Sequence, residues 1–95
     1  MGRELSDFGL ERVIERFPEL AASMQDRFDD DPSFREMCGD YAETLETLQR
    51  WQASADPHQA ARVREYRELA EGLEIEIVTA LRSPPPGTKL GRGAV

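Results

Sequence analysis

Ninety-five residues, 39% hydrophobic and 33% charged, make one folded domain at most and are too apolar for wholesale disorder. A net charge of −7, from 19 acidic against 12 basic residues, repels phosphates, so nucleic acid and anionic membrane surfaces are excluded as expected partners. One cysteine, Cys38, and one histidine, His58, leave no intramolecular disulfide, no Cys-cluster zinc site and no His-rich metal set.

The chain opens with a helical pattern. Leu10, Ile14, Phe17, Ala21, Met24 and Phe28 keep a spacing near 3.5 residues straight through Pro18. An internal proline removes one hydrogen bond and clashes with the carbonyl four residues back. Two helical pieces are expected, about 7–16 and 18–29, sharing one apolar face, with the link at Pro18 either kinked or broken.

Proline also sets the next two boundaries. Asp31-Pro32 reads as an N-cap followed by the first helical residue, where the missing N–H costs nothing. Asp56-Pro57 repeats the arrangement, and Gln59 stands where it would complete a capping box. Helices are therefore expected over about 32–53 and 57–82. Ser83-Pro84-Pro85-Pro86-Gly87 then stops helix, leaving residues 83–95 as a disordered, weakly basic Pro/Gly-rich tail after a helical domain over 1–82.

The two long helices carry matching seams. Phe34, Cys38, Tyr41, Leu45, Leu48 and Gln52 fall on alternating four- and three-residue steps, as do Gln59, Val63, Tyr66, Ala70, Leu73, Ile77 and Ala80. Folding back at Ala55-Asp56 brings Phe34 opposite Ile77, Cys38 opposite Leu73, Tyr41 opposite Ala70, Leu45 opposite Tyr66, Leu48 opposite Val63 and Gln52 opposite Gln59. Large residues then meet small ones, as close packing requires. The expected fold is all-α, an antiparallel helical hairpin with the kinked or broken N-terminal helix packed on it. Met37, Trp51, Leu69, Ile75, Val78 and Leu81 lie outside the seam, so a three-helix unit or a dimeric four-helix bundle is needed to cover them. Small domains are marginal alone, which favours a homodimer.

Residues able to carry chemistry are few. Cys38 sits two turns into a helix on the apolar seam, beside Glu36 and Asp40, whose charge would raise its pKa; it reads as a small buried hydrophobe. His58, in the first turn of the last helix, lacks an orienting group and a cleft. Asp29-Asp30-Asp31 lacks the glycine and spacing of a calcium loop and reads as helix capping. Glu-x-x-His pairs for a di-iron bundle are absent. Gly39 and Gly72 fall at one level of the hairpin and would permit another helix to approach closely. Trp51, off the seam near the hairpin tip and beside Arg50, reads either as packed against the N-terminal helix or the start of the last helix, or as an interface anchor.

The run Phe17-Pro18-Glu19-Leu20, then Asp31-Pro32-Ser33-Phe34-Arg35, Tyr41 and Leu45, resembles the YdcH-like family of small bacterial helical-hairpin proteins. The resemblance covers residues 17–50, roughly a third of the chain. It departs from the family in the N-terminal extension and the Trp51–Pro57 connection. The last helix has Glu65, Glu68, Glu71, Glu74 and Glu76 where the family is lysine-rich. The resemblance implies a bacterial protein of the cytoplasm and brings no active site with it.

No secretory signal or membrane-spanning run is present, so a cytoplasmic location is expected; Met1-Gly2-Arg3-Glu4-Leu5-Ser6 also fits the loose N-myristoylation pattern. Function is expected to be non-enzymatic, without cofactor: a protein–protein interaction or assembly module whose partner-binding residues are Trp51, Leu69, Ile75 and Val78. The alternative is a helical bundle binding a small ligand or metal between its helices.

Overall fold

A computed structural model describes residues 4–82. The expected tail at 83–95 and the first residues of the myristoylation pattern lie outside the described residues. The described chain is all-α. Helix α1 spans Leu5–Arg16, a 3-10 turn spans Pro18–Leu20, α2 spans Ala21–Asp30, α3 spans Pro32–Gln52 and α4 spans Gln59–Leu81. Among the described residues no helix is long and apolar enough to cross a membrane.

Pro18 breaks the N-terminal helix rather than kinking it. The residue before a proline is pushed out of the helical region, and Phe17 takes φ −133° and ψ 65°. Its N–H still closes α1 on Val13 and Ile14, and its carbonyl opens the next turn by accepting from Leu20. The continuous apolar spacing survives because both pieces face one core: Leu10, Val13, Met24 and Phe28 are all buried.

The α2–α3 junction is a single residue, Asp31, and it is tightly determined. Its carboxylate accepts from the Ser33 N–H at 3.0 Å, capping α3 as the sequence indicates. The same side chain, almost wholly buried, faces the Arg27 guanidinium at 3.7 Å. Arg35 reaches back from α3 to the Phe28 carbonyl at 2.7 Å and the Asp29 carbonyl at 3.3 Å, satisfying the open C-terminus of α2.

Helices α3 and α4 pack as the antiparallel hairpin, and α1 packs on α3. Phe34, Cys38 and Tyr41 of α3 are buried with Ala70 and Ile77 of α4, as the seams require. At the tip, Gln59 donates from Nε2 to the Gln52 carbonyl at 2.9 Å, which fixes the two ends of the loop level with one another. That bond replaces the expected capping box. Asp56 instead accepts from the His58 N–H at 2.7 Å, and regular helix begins at Gln59 rather than Pro57. The preceding helix ends at Gln52, one residue early.

Helix α1 lies diagonally over the base of the hairpin. Ser6 sits against Gly39 and Gly9 against Cys38, while Arg16 reaches across to Glu74 of α4. The tight crossing is at Gly9, where a Cβ would lie 1.8 Å from the Cys38 carbonyl oxygen. Gly39 and Gly72, expected to permit a close approach, do not need their missing side chains. A Cβ at Gly39 would meet Ser6 at an ordinary 3.8 Å, and one at Gly72 would meet nothing within 4 Å. Helix α2 closes the open end, with Ser23 and Arg27 beside Leu81.

Candidate functional site

The deepest polar feature of the hairpin is a triad linking three helices. Tyr41 of α3 donates from its hydroxyl to Glu74 Oε2 of α4 at 2.5 Å, and Arg16 of α1 donates to Glu74 Oε1 at 3.1 Å. Tyr41 is 2% exposed and Glu74 9%. Burial, and then the bond to Glu74, push the Tyr41 hydroxyl well above its ordinary value. A carboxylate buried this far needs both partners. Tyr41 and Ala70 are both buried, and Glu74 lies one helical turn along α4 from Ala70, so the polar bond and the expected seam agree on one register. The arrangement ties α1 to both helices of the hairpin.

Cys38 is fully buried, and desolvation pushes its thiol up to about 12. The cause is burial rather than the neighbouring carboxylates the sequence pointed to. His58 is exposed, with Nδ1 3.1 Å from Asp56 Oδ1, on the loop side of α4. The Asp29–Asp31 run is engaged in helix capping through Asp31. Among the described residues no group of three or more His, Cys, Asp or Glu converges as a metal site.

The four expected partner-binding residues divide between two faces. The hairpin's front is the side α1 crosses. There Ile75, 66% exposed, and the half-buried Val78 line a shallow recess of about 270 Å³ with Phe17 and Arg82. Higher on the front, an open groove of about 690 Å³ runs between α1 and the hairpin. It is lined by Phe8, Tyr41 and Leu45 but also by Arg12, Arg67, Glu46 and Glu71, charges of both signs.

Trp51 and Leu69 belong to the back. At about 100° per residue, Met37, Thr44 and Trp51 lie on the same side of α3, away from the side carrying Ala42 and Gln49, while Leu48 sits at the seam and also lines the front groove. Tyr66, Leu69 and Leu73 form the matching stripe on α4. The Arg62 guanidinium, 6.0 Å above the Trp51 ring, ties the two stripes together at the tip. Leu69 is 52% exposed, while Met37, Leu48, Trp51, Tyr66 and Leu73 are half-buried. The back therefore carries an apolar strip, interrupted on α3 by Asp40 and Thr44, with Leu69 its one exposed large hydrophobic among the described residues.

Tyr66 and Leu73, placed on the seam from their spacing, are thus only partly inside it. Glu74's burial leaves no local trace in the sequence, because a glutamate beside a seam residue looks like any solvated one until α1 crosses above it. No protein-family model, curated protein or solved structure matches this chain.

Proposed function

We propose that this chain is a non-enzymatic module that binds a protein, another or a second copy of itself, through the back of its helical hairpin. The observation that carries the reading is the apolar strip from Met37 and Leu73 to Trp51. Exposed apolar patches of this kind on a small domain mark interaction sites. The strip holds the chain's one tryptophan and a tyrosine, residue types that dominate binding energy at interfaces. The rest of the molecule supports presentation rather than chemistry: the Tyr41–Glu74–Arg16 triad, the Asp31 cap and the Gln52–Gln59 bond all rigidify the scaffold beneath the strip. A cytoplasmic setting and kinship with the YdcH-like hairpins, resting on Phe17-Pro18 and Asp31-Pro32, form part of the same proposal.

The test combines light scattering of the purified chain with affinity capture from the native cytoplasm, for wild type, Trp51→Ala and Leu69→Asn. Self-association or a captured protein, lost in both variants at unchanged helicity, is the expected outcome. A wild-type monomer that captures nothing overturns the reading.

A further inference from the structure

We infer that the occupant of the back face is a basic amphipathic helix of another protein, lying lengthwise between α3 and α4; this rests on the interaction reading above. The argument is charge and shape together. Along the outer margin of α3 the apolar strip is edged by Glu36, Asp40 and Glu43, which also line a recess beside Glu4, Leu5 and Ser6 at the start of α1, and along that of α4 by Glu65 and Glu76, all exposed. Glu65 is engaged by Arg62 at 2.9 Å. The other four have no ion-pair partner among the described residues. Of the cations at the tip, Arg62 is committed to Glu65 and to the face of Trp51, and Arg50 donates to Thr47 at 3.4 Å.

The strip is therefore an apolar floor edged by three carboxylates on α3 and, on α4, by Glu76 and the Arg62-paired Glu65. A helix whose apolar stripe is flanked on both sides by lysine or arginine meets every part of it, with its apolar residues on Leu69 and Tyr66 and its cations on the rims. The floor runs from Met37 to Trp51 in α3, about 21 Å at 1.5 Å per residue, which accommodates roughly four turns of a partner helix. A second copy of this chain is a poorer match. Its own back face would set acidic rim against acidic rim, and like charges brought together at an interface cost affinity.

Trp51 is the sole tryptophan of the chain and belongs to the apolar strip, under Arg62, so its fluorescence reports occupancy. The probe is a tryptophan-free synthetic Leu/Lys peptide of about 18 residues, long enough to hold helix when bound, with a Leu/Glu peptide of the same pattern as control. The Leu/Lys peptide is expected to shift Trp51 emission saturably, and the Leu/Glu peptide is not. Leu69→Asn, on the floor, weakens binding by about tenfold or more. Ile75→Asn, at a still more exposed position but on the front, leaves it unchanged. Asp40→Asn combined with Glu76→Gln weakens binding and flattens its salt dependence.

Equal binding of both peptides, or equal sensitivity to Leu69→Asn and Ile75→Asn, overturns the inference. So does a wild-type dimer that Leu69→Asn dissociates, since a second copy would then own the face. A captured protein that the Leu/Lys peptide fails to displace overturns the basic helix while leaving the interaction module standing. Failure of capture and of self-association removes the reading beneath it.

Discussion

Replacing Tyr41 by phenylalanine removes one oxygen atom from the core, and the structure says what that should cost. The hydroxyl donates to a carboxylate oxygen at 2.5 Å, within the short range of charge-assisted O–H···O⁻ bonds. Bonds to charged groups contribute about 1.5–3 kcal/mol, and the loss here leaves Glu74 Oε2 buried without a donor. A destabilisation of about 2 kcal/mol is expected, which in a domain this size lowers Tm by roughly 8–16 °C. The informative partner is Glu74→Leu, which strands the tyrosine hydroxyl instead. Removing both polar groups at once leaves neither orphaned, and apolar replacement of a buried polar pair is often neutral. The double variant Tyr41→Phe, Glu74→Leu should therefore be more stable than the sum of the single losses allows, by at least about 1 kcal/mol of coupling. Urea unfolding followed by circular dichroism measures all four corners of the cycle. Single losses that simply add, or a Tyr41→Phe loss below about 0.5 kcal/mol, would refute the claim that this bond sets the hairpin register.

Three further outcomes follow from particular atoms. Gly9→Ala should destabilise by about 1–3 kcal/mol, because its Cβ would sit 1.8 Å from the Cys38 carbonyl oxygen; Gly72→Ala, with nothing within 4 Å, should stabilise by up to about 1 kcal/mol, and thermal melts of the pair read the opposite signs. Asp31→Ala removes the cap on Ser33 and the partner of Arg27, and a loss of about 1–2 kcal/mol is expected in the same assay. Burial raises the Cys38 thiol from its ordinary 9.0 to about 12, so above pH 9 the unfolded chain holds fewer protons than the folded one. Unfolding free energy should be insensitive to this group below pH 9, then fall by up to about 1.4 kcal/mol per pH unit, with Tyr41 adding to the slope above pH 10. Urea midpoints at pH 8, 9 and 10 test the sign, and Cys38→Ala should remove the first part of the decline.

How legible this molecule is depends on whether a feature is local or made by a crossing. Asp31-Pro32 determines a cap from three adjacent residues, and Phe17-Pro18 determines a break from two; both can be read directly. The hairpin register follows from period and turn, since both seams count from the same loop. Gly9 and Glu74 are different. Nothing within a turn of Gly9 says that a carbonyl 29 positions later will press on it, and Arg16 meets Glu74 across 58 residues. Gln59 shows the same competition in miniature: a side chain suited to a capping box bonds the Gln52 carbonyl once the two helix ends are brought level.

The split of the expected partner residues was nonetheless written in the chain. Leu69 and Ile75 are six residues apart, and six steps of about 100° leave them about 120° apart around α4. One flat partner cannot sit squarely on both. Which of the two faces stays open is decided by α1, and α1 goes where Gly9 lets it approach. That crossing occupies the front, fills its lower part with Phe17 and Arg16, and scatters charges of both signs through what remains. The back keeps its apolar residues and carboxylate margins because α1 runs over the other side, with only its first residues beside Glu36, Asp40 and Glu43. Gly9 thus does more than relieve a clash: by admitting α1 to the front, it leaves Leu69 and Trp51 together on the surface.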